Sequence, residues 1–333
     1  MIVTVTLNPS LDLTYALEEA TLGDVDVHRA RTASVEASGK GVNVSRTLHA
    51  AGVSTLAVLP AGGGTGQHLL ELLEAEGVDH VGVPVGGETR INTSLLLRGG
   101  DTVKVNGPGT PLEAAEIERL LDTVERALVA DESDAAADER AGLVADERAG
   151  NPPDRWLAIC GSLPPGISPT VVGDLVELAH RHTARCAVDV SGEALTTALE
   201  ARADLLAPNR HELGEIAGDD LSSGTATEVA AAAHRLAAAH GVELLVSMGG
   251  DGAVHTDGTA ALHGSGPVLV PVNTAGAGDA FLSGWLAGPG RATDRMARAL
   301  AWGRSACLSA TTVDPTPGRR GTEGIIVTTI TPA

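Results

Sequence analysis

The sequence predicts an α/β fold, and three observations carry the prediction. First, short β-branched or aliphatic runs alternate with segments of helical period. Met1–Leu7 (MIVTVTL), Thr55–Pro60, Trp156–Cys160, Cys186–Val190 and Val242–Ser247 read as buried strands. Second, Gly-rich or polar turns stand just after these strands, where an open parallel sheet gathers its ligands. Third, 333 residues at 43% hydrophobic content suffice for a large core, and 2% aromatic content means that Ala, Val and Leu must fill it. Such strand–helix repeats suit right-handed βαβ units and one mainly parallel sheet covered on both faces.

Composition also excludes partners. A net charge of −20 argues against nucleic acid and anionic membranes. Three widely spaced Cys form neither a disulfide framework nor a zinc pattern. No basic-then-apolar start and no membrane-length apolar run is present, so a cytoplasmic protein is expected. Of the 23 cationic residues only Lys40 and Lys104 are Lys, which points to places that need a compact ammonium.

Along the chain, Asn8-Pro9-Ser10 ends the first strand and sets Asp12 at its C-terminal end, where an Asp can simply serve the turn. Residues 14–36 show short strand-like pieces and contain Arg29. Ser38-Gly39-Lys40-Gly41-Val42-Asn43 opens a helix, its glycines permitting close backbone approach and Asn43 able to donate and accept to a polyol. Gly62–Gly66 leads into a helix over Gln67–Glu76. It lacks the dinucleotide fingerprint, because residue 67 is Gln, and no P-loop occurs anywhere. Val81–Val85, Thr93–Arg98 and Thr102–Val105 read as strands of a meander, with Arg90 suited to bidentate phosphate binding and Lys104 to a point contact. Pro111–Ala130 is an amphipathic helix. Residues 131–150, with ADERAG at 137–142 and again at 145–150, read as a disordered or poorly packed acidic insertion.

The last third carries the chemistry. Pro208-Asn209-Arg210-His211-Glu212 starts a helix with an acid in its first turn. Ser247-Met248-Gly249-Gly250-Asp251-Gly252 is a Gly-rich turn after a strand. Asn273–Leu286 (NTAGAGDAFLSGWL) is a Gly-rich loop running into a helix near Gly276, hence an anion site. Asp279 in its first turn either favours the helix terminus or takes a proton from a hydroxyl attacking a phosphoryl group. Arg295–Leu308 is an Ala-rich helix, and the tail after Asp314 carries little signal.

NTAGAGDAFLSGWL resembles the C-terminal signature of the ribokinase-like (PfkB-type) carbohydrate kinases, and Ser38–Asn43 their N-terminal signature with Ser38 in place of Gly. The N-P-x-x-D start and GSLPPG at 161–166 resemble the phosphosugar branch. The resemblance implies a three-layer α/β/α core, from residues 1–10, 37–85 and 107–333, with a small β-sheet lid from 11–36 and 86–106. It implies ATP-dependent phosphorylation of a phosphorylated ketohexose, nearest to fructose 1-phosphate, with fructose 6-phosphate and tagatose 6-phosphate served by nearly the same motifs. Under it Asp279 is the catalytic base, and Gly276, Ala277 and Gly278 form the hole for the transferring group. Asp12, Gly39, Lys40 and Asn43 place the sugar. Arg90 and Lys104, with Arg29, hold its phosphate. Asn209 and Glu212 organise Mg²⁺ and the ATP phosphates, largely through water, and Ser247, Gly249 and Gly252 meet ATP. Ala207 stands where the family commonly has a phosphate-side Lys. A homodimer through the lid is also implied.

Overall fold

The computed structural model describes residues 1–23, 27–98, 102–140 (side chains to 131) and 155–332. In chain order its strands are β1 (Ile2–Val5), β2 (Ser10–Leu17), β3 (Ala30–Ser38), β4 (Thr55–Ala61), β5 (His80–Pro84), β6 (Arg90–Leu96), β7 (Thr102–Asn106), β8 (Trp156–Cys160), β9 (Arg185–Asp189), β10 (Leu205–Leu206), β11 (Glu243–Ser247), β12 (Ala253–Thr256), β13 (Ala261–Ser265) and β14 (Ile326–Ile330). The helices are α1 (Lys40–Ala50), α2 (Gly63–Glu76), α3 (Ala114–Arg140), α4 (Thr170–Arg181), α5 (Glu193–Glu200), α6 (Arg210–Ala217), α7 (Ala226–His240), α8 (Ala277–Leu286) and α9 (Ala292–Cys307).

Ten strands form one sheet in the order β14-β13-β12-β11-β10-β9-β8-β1-β4-β5. It is parallel from β5 to β11, and β12 to β14 close it in antiparallel fashion. Alternation along the strands decides the layering. Val3, Val5, Leu157 and Ile159 pack under α3, α4, α5 and α7. Ile2, Trp156, Ala158 and Cys160 pack under α1, α8 and α9. Strands buried on both faces read as continuous apolar runs, which is how they look in the sequence.

The second sheet has the order β3-β2-β6-β7. Its register sets Asp12 opposite Glu36 and Asn92, and Asn92 opposite Asn106. One face therefore carries Ser10, Asp12, Arg90, Asn92 and Lys104. The other carries Val35, Ile91, Val103 and Val105, all exposed.

Four expectations are corrected. Val81–Val85 does not join the meander, because β5 pairs with β4 at the edge of the large sheet. The helix predicted to end at Ala130 runs on to Arg140, as suits its Ala, Glu and Arg content. Asp131 is buried and bonded to the Met1 ammonium and to Arg155, so the supposed disordered insertion does not begin there. The remainder of that insertion, including the second ADERAG, lies outside the described residues. Finally, the tail contributes β14, whose β-branched IVTTI was the signal overlooked. Among the described residues no helix is long and apolar enough to cross a membrane.

Candidate active site

The signature loop turns at Gly276, whose φ of 74° caps α8. A Cβ there would collide with the Thr312 carbonyl, so the turn requires Gly. The first amides of α8 have no partner one turn back, and its dipole adds positive charge. The Ala277 amide makes only a long 3.4 Å bond to Thr274 O. Gly278 opens onto free space. Asp279, in this first turn, is 7% exposed. Its Oδ2 accepts a 2.8 Å bond from Asn43 Nδ2 on α1. Burial first, and then the charge of Asp189, push its carboxyl up to about 7. That is the range in which a carboxylate serves as a general base at neutral pH.

Asp279 shares a cavity of about 290 Å³ with Lys40, Asp189, Asn209, Glu212 and Ser247. Lys40 Nζ donates to Asp189 Oδ1 at 2.8 Å. Burial alone would favour the neutral amine, but Asp189 overrides it and raises the pKa, so Lys40 is charged. Asn209 and Glu212 form a capping box: Asn209 Oδ1 accepts from the His211 and Glu212 amides, and Glu212 Oε2 accepts from the Asn209 amide. Burial raises the Glu212 carboxyl. Ala207, in place of a cation, also lines this cavity. The chain turns after β11 at Gly249 and Gly252. A Cβ on Gly252 would meet the Gly264 carbonyl, so close packing on β13 already requires Gly there.

Asp12 is held by three donors: Ser10 Oγ at 2.8 Å and Asn92 Nδ2 at 2.9 Å on Oδ1, and Ser38 Oγ at 2.8 Å on Oδ2. Its charge raises the Asp279 carboxyl and also acts on Arg90. Arg90 donates to Gly107 O at 3.0 Å, and burial lowers its pKa. With Thr65, Glu88 and Thr89 it lines a second, open cavity of about 720 Å³. Asn8 bridges toward the 161–166 loop through Ser162 Oγ at 3.3 Å.

Two predicted cations stand apart. Lys104 faces Ser94, roughly 13 Å along the strand from Arg90. Arg29 precedes Ala30, which pairs with Leu17, roughly 20 Å along the sheet from Asp12. Conversely, Ser10, Ser38, Asn92 and Asp189 were not given roles from the sequence. A carboxylate ending a central parallel strand was the available signal for Asp189.

The pfkB family carbohydrate kinase model matches residues 5–122 and 110–314. The chain belongs to this family. It is 31% identical to 1-phosphofructokinase of Bacillus subtilis (strain 168), over 86% of this chain and 85% of that protein. It is 30% identical to the ATP-dependent 6-phosphofructokinase isozyme 2 of Escherichia coli (strain K12), over 84% of this chain and 83% of that protein. The crystal structure of phosphofructokinase-2 from Escherichia coli in complex with fructose-6-phosphate superposes with a TM-score of 0.79 at 29% identity, over 95% of this chain and 96% of that one. The fold is thus ribokinase-like, as the motifs implied.

Proposed function

We propose that this enzyme transfers the γ-phosphoryl group of ATP to a hydroxyl of a phosphorylated ketohexose, with fructose 1-phosphate as the preferred acceptor. The observation that carries the reading is Asp279: a buried carboxylate near pKa 7, at a helix N-terminus, beside a cavity that also holds a charged Lys40. Asp279 takes the proton of the attacking hydroxyl. The Gly276, Ala277 and Gly278 backbone, together with Lys40, stabilises charge on the transferring group. Asp12, Gly39 and Asn43 place the sugar, and Arg90 holds its existing phosphate. Several relatives are named 1-phosphofructokinase, which supports fructose 1-phosphate, and one is named ATP-dependent 6-phosphofructokinase isozyme 2, which makes fructose 6-phosphate the second reading.

Mg²⁺ fits the residues present in one manner. Among the described residues no cluster of three His, Cys, Asp or Glu side chains could cage a metal. The ion would therefore ride on the nucleotide phosphates, with Glu212 and Asn209 reaching it through water, as is usual for Mg²⁺. It would supply neutralising charge. Ser247, Gly249 and Gly252 form the turn facing ATP. The small sheet acts as a lid that excludes water, and its exposed Ile91, Val103 and Val105 face is covered by a second copy.

The test is ADP release measured with ATP, Mg²⁺ and, in turn, fructose 1-phosphate, fructose 6-phosphate, tagatose 6-phosphate, fructose and ribose. Highest kcat/KM on fructose 1-phosphate is expected. Turnover of fructose or ribose above every sugar phosphate would overturn the reading.

A further inference from the structure

Asp189 has no role in the scheme above, yet it lies inside the catalytic cavity. It is the last residue of β9, 7% exposed, and its Oδ1 takes the Lys40 ammonium at 2.8 Å. A buried carboxylate is costly unless it does something for its neighbours or is fully matched. Here it is matched by one cation that is itself 42% exposed at the side chain, so the pair opens into the cavity and is not sealed in the core. The charged and titratable groups that face Asp279 are Lys40 of α1, Asp189 of β9, Asp12 of β2, Glu212 of α6 and the Cys160 thiol of β8. Lys40 is the one cation of this set, and Asp189 is the group bonded to it.

We propose that Asp189 is the positioning residue of the reaction: it holds Lys40 off Asp279, so that the ammonium faces the phosphoryl group and the base keeps its proton affinity. This rests on Asp279 being the base. Lys40 has three donors and Asp189 occupies one, leaving two for a phosphoryl oxygen. Without the Asp189 charge, Lys40 would turn toward the remaining carboxylates whose charges act on it, Asp279 ahead of Glu212. The same change would remove a like charge beside Asp279. Both effects favour the carboxylate form and lower the pKa of the base. A weaker base at an unchanged distance accepts a proton less readily from the attacking hydroxyl.

The experiment is the pH dependence of kcat and of kcat/KM for fructose 1-phosphate at saturating MgATP, on the full chain. The substrate's own phosphate titrates identically in every variant, so differences between variants belong to the enzyme. In Asp189→Asn the acid limb should move down by about one pH unit. Its plateau kcat should fall about tenfold or more. Lys40→Met should move the limb the other way, because it removes the attractive charge. Asp189→Glu keeps the charge and should leave the limb near its wild-type position even where kcat falls. An unmoved limb in both Asp189→Asn and Lys40→Met, with melting curves showing folded protein, would overturn the proposal. Asp279→Asn, run in parallel, separates the two readings. Inactive Asp279→Asn with unmoved limbs removes only the role of Asp189, whereas active Asp279→Asn removes the base and this proposal together.

Discussion

Asn43 Nδ2 of α1 donates to Asp279 Oδ2 of α8 at 2.8 Å, across 236 residues of sequence. The bond joins the two signature helices and favours the ionised carboxylate, against the burial that raises its pKa. Asn43→Leu removes the donor, so the Asp279 pKa should rise further above about 7. A hydrogen bond to a charged group is worth about 1.5–3 kcal/mol, or roughly 1–2 pH units. The acid limb of kcat/KM should therefore move up, and the loss of activity at pH 7 should exceed that at pH 9. A uniform loss at all pH values would assign Asn43 to sugar placement alone.

Asp279→Asn should lower kcat by about 10²–10⁴-fold, the span of a lost general base, with the ATP KM little changed. Its stability should show the opposite sign. The Asp279 carboxyl is raised in the folded state from 3.8 to about 7, so the folded state binds the proton more tightly than the unfolded one. Folding stability should then decline as pH rises from about 4 to about 7, by about 1–4 kcal/mol from this group. The amide has no proton to lose, so the variant should melt above wild type at pH 8 and close to it at pH 4. Thermal unfolding at both pH values checks this.

Much of this site was legible in the sequence because its parts are local. Gly276 to Asp279 form one turn, and Gly39 to Asn43 form another; each has its chemistry within a few residues. The helix-start reading of Asn209 and Glu212 likewise holds as a capping box. What was not legible is pairing at long range. Nothing local to Asp189 signals Lys40, and nothing local to Ser38 or Asn92 signals Asp12; the bonds appear only when α1 meets β9 and when β2 meets β3 and β6. Strand partners were hidden for the same reason. β5 has the composition of a meander strand, and only its register against β4 assigns it to the large sheet. Lys104 and Arg29 show the same limit, since the motifs named them as phosphate cations but could not give their spacing, and the register sets them along the small sheet from Arg90 and Asp12.

Asp131 closes the N-terminal end of the sheet. It accepts from the Met1 ammonium at 3.1 Å and from Arg155 Nε at 2.8 Å, while Arg155 also donates to the Leu128 and His182 carbonyls. Asp131→Ala leaves two cations without their carboxylate, one of them mostly buried. The expected cost is about 2–4 kcal/mol, the scale for breaking a buried pair. The melting temperature should fall by several degrees while kcat stays unchanged, because Arg155 precedes β8 and the active site lies beyond its other end. An unchanged melting temperature would show that the two Asp131 ion pairs add no net stability.

Arg90 and Lys104 carry the sharpest test of the acceptor. A sugar phosphate is a dianion that must enter a protein of net charge −20, so long-range attraction is unfavourable and nearby cations must supply the affinity. Arg90 is half-buried, bonded to Gly107 O, and lines the 720 Å³ cavity. Lys104 is exposed and sits roughly 13 Å along the sheet. Arg90→Ala should raise KM for fructose 1-phosphate by roughly 10–100-fold, the equivalent of one charge-assisted contact of about 1.5–3 kcal/mol. Arg90→Lys should recover little of this, since a point ammonium cannot reproduce a fork held by a backbone carbonyl. Lys104→Ala should raise KM by a few-fold at most, and that effect should vanish at high salt, as a screened contribution does. The KM for ATP should hold in all three variants, because Asp279 and its cavity are not lined by either side chain. Equal losses from Arg90→Ala and Lys104→Ala would mean that the lid closes far enough to bring both to one phosphate. No loss from Arg90→Ala would remove the phosphate from the acceptor altogether.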